Sequence, residues 1–347
     1  MRRAIQRGWQ RPGWVNRLLY PVSLLYAAAV AARRGAYRHG VFRRHKLPVP
    51  LVVVGNLCVG GTGKTPLVME LVEAMKSRGM TPGVIARGYR ARPGHWPRAA
   101  GAGVGGADAA QVGDEAALIA RRCRVPVMVG PNRRQSAEAL LSRHRCDILV
   151  SDDGFQHLQL HRDLDIVVVD ARRRFGNAWC LPAGPLREPP AALKRAGIVV
   201  ASDSGGDAKA RAGEFRMAAR IDRAVYLGGT PQSDPAPRER ALRDFAGRPV
   251  HAVAGIGHPG RFFRQLQAFG LEVAAHPRPD HHRFTARDFA FATAADTVLM
   301  TEKDAVKCEG LVAGGQLAGQ YWAVPLRVAP GPGLMDAVFR RLAAAAQ

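Results

Sequence analysis

The feature that most restricts the fold of this chain is a glycine-rich loop at residues 51–68, "LVVVGNLCVGGTGKTPLV". The apolar, β-branched residues before the loop are typical of a buried parallel strand, and "PLVMELVEAMKSRG" after it has helical periodicity. A glycine-rich turn at a helix N-terminus directs backbone N–H groups and the positive end of the helix dipole at an anion. This context predicts a phosphate-binding loop for ATP or GTP; a glycine-rich turn without a nucleotide is the alternative.

The positions within the loop predict individual roles. Lys64 is expected to reach the β- and γ-phosphates, and the Thr65 hydroxyl to contact Mg²⁺. The usual pattern has Gly where this chain has Cys58. The expected nucleotide-binding residues are Cys58, Val59, Gly60, Gly61, Thr62, Gly63, Lys64 and Thr65.

The remainder of the chain alternates strand-like and helix-like segments, which predicts a doubly wound parallel α/β sheet. The strand at "AGIVVAS" is expected to be the last of this unit. Composition then shifts to Gly, Asp, Pro and Arg around residues 203–240, with a pair of connecting strands in "FRMAARIDRAVYLGG". We expect a P-loop NTPase-like domain at 49–225, a second, smaller α/β domain at 226–327 and a C-terminal helix at 328–347.

Charge and hydropathy set the N-terminal segment apart. The net charge is +23, and Met1 to Leu67 contain no Asp or Glu. The apolar stretch "WVNRLLYPVSLLYAAAVAA" holds Arg17 and Pro21, which make it a poor spanning helix. We expect residues 1–48 to form a basic segment with an interfacial helix on an anionic membrane surface. An ordinary helix packed on the protein's own core is the alternative.

Composition also bears on partners and compartment. Aromatic content is low and no recognised binding motif is present, so nucleic acid is not an expected partner. The five cysteines form no disulfide-like or zinc-like pattern, which favours a reducing cytoplasm.

Two carboxylates follow an apolar strand in "ILVSDDGFQH". Asp152 and Asp153 stand at the carboxyl end of that strand, where ligands gather in open α/β sheets and where nucleotide-hydrolysing folds keep a magnesium-binding Asp. One of the two is expected to bind Mg²⁺, directly or through water. A turn or a helix cap is the alternative.

Three further groups are candidates for site chemistry. Asp114 begins a helix, where capping is the commonest role of Asp. His281 and His282 are adjacent on an extended segment, so they point to opposite faces, and one could orient a carboxylate across a cleft; surface histidines are the alternative. Arg187 and Glu188 lie in the loop "LPAGPLREP" and suit an anion and a metal respectively.

Eight motifs together resemble one family, the tetraacyldisaccharide 4'-kinases, the lipid A 4'-kinases of Gram-negative bacteria. In chain order they are "VGNLCVGGTGKTP", "ARGYR", "GDE", "SDDGFQH", "LPAGPLREP", "GIGHPGRFF", "PDHHRFT" and "TEKDAVK", and the resemblance runs from about Trp14 to about Val328. It implies transfer of the ATP γ-phosphoryl group to the 4'-hydroxyl of tetraacyldisaccharide 1-phosphate, giving lipid IVA. It also implies two α/β domains joined by a short β-ribbon, with the active site between them.

The same resemblance implies residue roles. Asp114 is expected to be the base, with His281 as its partner and Lys64 as the third catalytic residue. Gln156 and Arg187 are expected to line the substrate cleft. The expected magnesium region comprises Thr65, Asp152, Asp153 and Glu188.

The resemblance also implies cofactors and partners. ATP and Mg²⁺ are the expected cofactors, and the lipid acceptor and an anionic membrane surface the expected partners. We expect a monomer, peripheral or monotopic at the cytoplasmic face of the bacterial inner membrane.

Two other classes remain open on the residues alone. A partitioning or protein-targeting ATPase has a "KGGTGKT" loop, with Lys at the position of Val59. A nucleic-acid-dependent ATPase is favoured only by the net charge. Both predict ATP turnover without a sugar-lipid acceptor.

Overall fold

The computed structural model describes residues 5, 8–89, 91–101, 109–203, 209–229 and 238–345. Parts of several sequence-based expectations lie outside these residues, among them the last two residues of the expected C-terminal helix and short stretches of both expected domains. They also include Arg90 of "ARGYR", the first residues of the basic segment, and part of the Gly- and Pro-rich stretch at 203–240.

Helices and strands alternate through most of the described chain. The helices are α1 (Trp14–Arg38), α2 (Lys64–Lys76), α3 (Ala109–Val112), α4 (Asp114–Cys123), α5 (Arg133–Leu141), α6 (Pro259–Gln267), α7 (Glu302–Ala313) and α8 (Leu334–Ala345). The strands are β1 (Leu51–Gly55), β2 (Pro82–Ala86), β3 (Arg98–Ala100), β4 (Val127–Val129), β5 (Ile148–Asp152), β6 (Leu164–Asp170), β7 (Ile198–Asp203), β8 (Phe215–Arg220), β9 (Arg223–Gly229), β10 (Glu239–Ala241), β11 (Pro249–Ala254), β12 (Glu272–Pro277), β13 (Thr297–Thr301), β14 (Gln320–Val324) and β15 (Arg327–Pro330). Short 3₁₀ helices occupy Pro190–Arg195, Leu242–Phe245 and Ala286–Phe289.

The larger sheet has nine strands in the order β15-β8-β7-β6-β1-β5-β2-β4-β3. Its pairings are parallel except at the two edges, where β15 and β3 run antiparallel to their neighbours. Val52 and Val54 of β1 pack on the side that carries α2, α4 and α8, while Leu51 and Val53 pack on the side of α5. Helices therefore cover both faces, as in a doubly wound α/β fold, and the predicted fold class is confirmed.

The smaller sheet has six strands in the order β10-β9-β14-β13-β11-β12. The four strands β12, β11, β13 and β14 pair in parallel. β9 pairs antiparallel with β14, and β10 pairs antiparallel with β9. Phe262, Phe263 and Leu266 of α6 pack on one face, and Cys308 and Val312 of α7 pack on the other.

A two-stranded antiparallel ribbon connects the sheets. One side of the ribbon is β8 followed, after two residues, by β9, and the other side is β14 followed by β15. β8 pairs with β15 in the larger sheet, and β9 pairs with β14 in the smaller sheet. The larger sheet thus continues beyond the "AGIVVAS" strand, β7, with β8 and β15, whereas the sequence predicts that β7 is its last strand. Our boundary between 225 and 226 also falls inside β9, and β15 belongs to a sheet rather than to the C-terminal helix. The reason is that the chain returns after the smaller sheet, a long-range pairing that local patterns do not reveal.

Helix α1 lies on the loop between β6 and β7. The buried residues of α1 are the polar Asn16 and Ser23, and both form hydrogen bonds with the backbone of Ala183. Asn16 Nδ2 donates to the carbonyl oxygen of Ala183 at 2.9 Å, and the backbone N–H of Ala183 donates to Ser23 Oγ at 2.9 Å. The rings of Tyr20 and Trp179 are 4.5 Å apart. By length and composition this helix could cross a membrane, yet its contacts attach it to the protein surface.

Candidate active site

The phosphate-binding loop is ordered by its own polar contacts. The Asn56 side chain is buried beneath it and donates to Gly60 O at 3.4 Å and Thr62 Oγ1 at 3.1 Å. Gly63 has φ +86°, and a Cβ there would lie 2.9 Å from Ser202 Oγ, so only glycine fits without strain. Burial raises the pKa of the Cys58 thiol to about 11, which keeps it neutral. The backbone N–H groups of the loop are therefore the groups that can hold an anion.

Helix α2 brings two side chains of the loop to the end of β5. The Thr65 hydroxyl donates to Asp152 Oδ2 at 3.1 Å. Lys64 Nζ lies 3.5 Å from Asp153 Oδ1. The pairing of β1 with β5, in which Val54 is opposite Asp152, produces this arrangement. Four residues predicted from two separate motifs thus meet at one point.

Asp152 has the features of a metal ligand. Its side chain is 3% exposed, and Oδ1 has no hydrogen-bond partner among the described residues. Burial, together with the neighbouring carboxylate of Glu115, raises the pKa of Asp152 to about 7. A buried carboxylate oxygen without a partner is costly, and a divalent cation beside the Thr65 hydroxyl would satisfy it. These residues therefore fit Mg²⁺.

The set of protein ligands available to such a metal is small. No group of three or more His, Cys, Asp and Glu side chains suited to a metal occurs in the described part of the chain. This agrees with Mg²⁺, which usually takes one or two carboxylates and completes its shell with water and phosphate oxygens.

Asp153 is held by cations. Burial alone would raise its pKa, but Lys64 and Arg187 lower the pKa of Asp153 to about 2. Arg187 Nη1 donates to Asp153 Oδ1 at 2.7 Å and to Gln156 Oε1 at 3.3 Å. Asp153 also has φ +50°, a left-handed conformation that is uncommon for non-glycine residues. Gln156 and Arg187, both predicted cleft residues, therefore lie beside Asp153.

Glu188 does not have the surroundings predicted for a metal ligand. Its carboxylate is buried and forms ion pairs with Arg195 and, at 3.7 Å, with Arg34 of α1. Its Oε1 accepts a hydrogen bond from Gln156 Nε2 at 3.2 Å. Both oxygens already have partners, so the structure favours Glu188 as an ordering group for Gln156. Two of these partners come from segments far from the motif, which the sequence alone did not connect.

Asp114 of the larger domain and His281 of the smaller domain are in direct contact. Asp114 Oδ2 lies 2.9 Å from His281 Nδ1. Asp114 is the first residue of α4 and makes no cap bond, since Gly113 occupies the N-cap position. His281 follows β12 in the smaller domain and has φ +61°. The capping alternative for Asp114 is thus not what the structure shows.

Two lysines complete the surroundings of this pair. Lys307 Nζ lies 3.8 Å from Asp114 Oδ2, and Lys303 Nζ lies 3.4 Å from His281 Nε2. Burial alone would raise the pKa of Asp114, but the hydrogen bond of His281 and the charges of Lys307 and Lys303 lower it below its usual value. Asp114 is therefore ionised at neutral pH.

The pair lies close to the phosphate-binding region. Glu115, the next residue after Asp114, is near enough to Asp152 to contribute to its raised pKa. Across the domains, Arg122 of α4 donates to Glu302 of α7 at 3.1 Å and to the backbone of Leu326 at 2.9 Å. The Asp114–His281 contact thus lies between the domains, at the start of a helix whose next residue, Glu115, influences Asp152.

The two adjacent histidines diverge, although His281 lies in a turn with φ +61° and not on the extended segment that the sequence predicts. His282 Nε2 lies 2.9 Å from Asp288 Oδ1 within its own domain, while His281 faces Asp114. The Tyr89 ring meets the edge of His281 with centroids 5.6 Å apart.

One residue of the site gave no sequence signal. Arg133 is 2% exposed and donates to Asp152 O at 3.1 Å and Gly130 O at 2.8 Å. It fixes the backbone that carries the Asp pair. It precedes another arginine at a helix start, and nothing in that local pattern distinguishes a buried arginine from a solvated one.

Comparisons with known proteins give one consistent result. The sequence model of the family described as tetraacyldisaccharide-1-P 4'-kinase matches residues 15–343. The chain is similar to the tetraacyldisaccharide 4'-kinase of Azoarcus sp. (strain BH72), with 45% identity over 96% of this chain and 94% of the relative. The enzyme of that name from Nitrosococcus oceani is 45% identical over 90% of this chain and 86% of the relative.

A solved structure agrees with these relatives. It is the crystal structure of the "apo" form of LpxK from Aquifex aeolicus in complex with ATP, which matches with a TM-score of 0.76 and 27% identity. The match covers 94% of this chain and 99% of that chain. The chain belongs to the tetraacyldisaccharide-1-phosphate 4'-kinase family.

Proposed function

We propose that this chain transfers the γ-phosphoryl group of ATP to the 4'-hydroxyl of tetraacyldisaccharide 1-phosphate, forming lipid IVA in lipid A biosynthesis. The observation that carries the proposal is the convergence of a phosphate-binding loop and an acid–base pair on one cleft. Family membership supports the identity of the acceptor.

Phosphoryl transfer depends mainly on positioning and on neutralising charge. The backbone N–H groups of Cys58 and of residues 60–65, with the Lys64 ammonium, are the groups proposed to bind the phosphates of ATP. The N–H of Val59 already donates to Pro185 O at 2.8 Å, so Val59 shapes the loop rather than donating to a phosphate. Lys64 is held 3.5 Å from Asp153, which keeps its ammonium at the end of β5.

Thr65 and Asp152 are the residues proposed to hold Mg²⁺, with Asp153 beside them. The ion, when bound, neutralises charge on the transferred phosphoryl group. The described residues keep Asp152 buried and leave its Oδ1 without a hydrogen-bond partner.

Asp114 is proposed to accept the proton of the attacking 4'-hydroxyl. Its closest contacts with His281 and Lys307 involve Oδ2, which leaves Oδ1 to face the hydroxyl. His281 orients the carboxylate and shares the charge change. A positioned base of this kind contributes typically about 10²–10⁴-fold in rate.

The split of this pair between domains makes catalysis depend on the domains being together. When the domains separate, Asp114 loses the partner that orients it. When they close, water is excluded from the phosphoryl group, which favours transfer over hydrolysis. Because both members of the pair come from one chain, a monomer is sufficient for the proposed reaction.

Helix α1 is proposed to lie on a membrane. Trp14, Leu18 and Leu25 are 77%, 72% and 73% exposed, whereas the residues it buries are polar. A helix of a water-surrounded protein shows the opposite arrangement, so the outer face requires an apolar partner. A lipid substrate makes the bilayer that partner, and the basic residues Arg17 and Arg43 suit anionic headgroups.

The face of the membrane on which the enzyme lies is inferred from ATP and from the reduced state of its cysteines. ATP and reduced thiols belong to the cytoplasm, and all five cysteines are free in the structure. We therefore place the enzyme at the cytoplasmic face of the inner membrane, monotopic rather than spanning. Flotation with anionic vesicles tests the contact of α1 with the membrane: Leu25→Glu should reduce the bound fraction, whereas Leu326→Glu, on an exposed residue outside α1, should not.

The experiment that tests the function is label transfer from [γ-³²P]ATP in detergent micelles, with and without tetraacyldisaccharide 1-phosphate. Acceptor-dependent labelling of the lipid supports the kinase. ATP turnover that is independent of the lipid, or stimulated by DNA, would instead support one of the two ATPase classes.

A further inference from the structure

Helix α1 is joined to the active-site loop at more points than an anchor requires. Asn16 and Ser23 hold Ala183 at the start of "LPAGPLREP". The Tyr26 hydroxyl donates to the carbonyl oxygen of Arg187 at 3.1 Å, near the end of that loop. Arg33 Nη1 donates to Gln156 O at 3.3 Å. The helix therefore contacts the backbone of both cleft residues, Gln156 and Arg187.

That loop in turn pairs with the phosphate-binding loop. The backbone N–H of Arg187 donates to Leu57 O at 2.7 Å, and that of Val59 donates to Pro185 O at 2.8 Å. The segment that α1 holds is thus one wall of the nucleotide cradle.

A line of side chains connects α1 with the catalytic lysine. Arg34 of α1 contacts Glu188 Oε2 at 3.7 Å, and Glu188 Oε1 accepts from Gln156 Nε2 at 3.2 Å. Gln156 Oε1 accepts from Arg187 Nη1 at 3.3 Å. Arg187 then holds Asp153, which lies beside Lys64. Each member of this line touches the next directly.

We propose that Arg34 is a positioning residue for phosphoryl transfer, acting through Glu188 and Gln156 on the Arg187–Asp153 pair. The inference rests on the proposed kinase function and extends it, because it makes the membrane-facing helix part of the active site. The Glu188 carboxylate is buried between Arg34 and Arg195. Without Arg34 the carboxylate is held by Arg195 alone, so Glu188 becomes a less fixed acceptor for Gln156 Nε2, which keeps only its bond to Asn56 O at 3.1 Å. The amide oxygen that accepts from Arg187 is then held less firmly.

The test compares two variants that remove the same charge from the same helix. Arg34→Gln breaks the contact with Glu188. Arg38→Gln is the matched control, since Arg38 is exposed and its side chain has no hydrogen bond or ion pair with the described residues. Both variants lose one positive charge of α1, so an effect of that charge on vesicle affinity is the same in Arg34→Gln and in Arg38→Gln. Arg34→Lys keeps the charge and tests rescue.

Lipid phosphorylation is measured at saturating substrates, together with deuterium exchange of residues 183–188. We expect Arg34→Gln to lower kcat about tenfold while KM for ATP and for the lipid changes less than about twofold. Exchange in 183–188 should be faster than in Arg38→Gln, and Arg34→Lys should recover most of kcat.

Equal kcat and equal exchange in Arg34→Gln and Arg38→Gln, with an active wild type, would overturn the inference and leave the kinase function standing. A loss confined to KM for the lipid would also overturn it, since Arg34 would then serve binding alone. A wild type that labels no lipid would refute the kinase function itself.

Discussion

Asp114 and His281 are separated by 167 residues in the chain, yet Asp114 Oδ2 lies 2.9 Å from His281 Nδ1. The larger domain supplies the carboxylate and the smaller domain supplies the imidazole. This single contact is the basis of the proposal that the two residues move the proton of the acceptor hydroxyl.

The first prediction concerns this pair and uses the adjacent histidine as its control. His281→Gln should lower kcat by about 10²-fold with little change in KM for ATP, because Asp114 loses its orienting partner. His282→Gln should retain most of the activity, since His282 pairs with Asp288 outside the cleft. Steady-state kinetics on the lipid acceptor measure both, and similar losses in the two variants would contradict the assignment.

The second prediction concerns the Thr65 hydroxyl, which lies 3.1 Å from Asp152 Oδ2. Thr65→Val removes the hydroxyl with little change in volume, so the concentration of Mg²⁺ for half-maximal activity should rise roughly 10- to 100-fold. Thr65→Ser keeps the hydroxyl and should behave nearly as the wild type. An unchanged Mg²⁺ requirement in Thr65→Val would exclude Thr65 from the metal site.

The third prediction compares two neighbouring arginines in their effect on stability. Arg133 is buried, burial lowers its pKa to about 10, and it holds two backbone carbonyls. Arg133→Met leaves these carbonyls unpaired and should lower the free energy of unfolding of the larger domain by about 2–4 kcal/mol. Arg134→Met removes a half-exposed pair with Glu138 and a contact with His45 Nε2 at 3.1 Å, and should cost about 1 kcal/mol or less. Urea unfolding measures both, and equal effects would refute the structural role of Arg133.

The fourth prediction concerns pH. Burial lowers the pKa of His157 from 6.5 to about 4, and the charges of Arg133, Arg87 and Arg33 act in the same direction. Between these two pH values the unfolded chain binds a proton that the folded chain does not, so folding stability falls as pH falls through this window. His157→Gln removes this contribution.

The stability difference between wild type and His157→Gln should therefore shift in favour of the variant as pH drops from 7 to about 4. Urea unfolding at several pH values measures this difference. A difference that stays constant across the window would show that His157 titrates normally in the folded protein.

The sequence predicted the local parts of this structure well. The strand, loop and helix around Lys64 follow from residues adjacent in the chain, and Asp152 and Asp153 follow from a strand end. The family assignment and the fold class, drawn from the ordered set of motifs, are confirmed. The roles of the individual site residues stay predictions, although the structure brings most of them together.

The features that the sequence did not indicate depend on long-range contacts. The partners of Glu188 come from α1 and from the 3₁₀ helix at Pro190–Arg195, and neither identity nor spacing in "LPAGPLREP" indicates them. The return of β15 to the larger sheet is equally invisible in local patterns. The apolar stretch interrupted by Arg17 and Pro21 predicted an interfacial helix, but not that its buried polar residues hold the loop "LPAGPLREP".

The most direct test of the central claim is the position at which the acceptor is phosphorylated. Tetraacyldisaccharide 1-phosphate and its 4'-deoxy analogue are each incubated with ATP and enzyme, and the products are mapped by mass spectrometry. If the enzyme phosphorylates the 4'-hydroxyl, the natural acceptor gains one phosphate on its non-reducing glucosamine and the analogue gains none. A phosphate on the analogue, or ATP hydrolysis without a phosphorylated lipid, would contradict the proposed reaction.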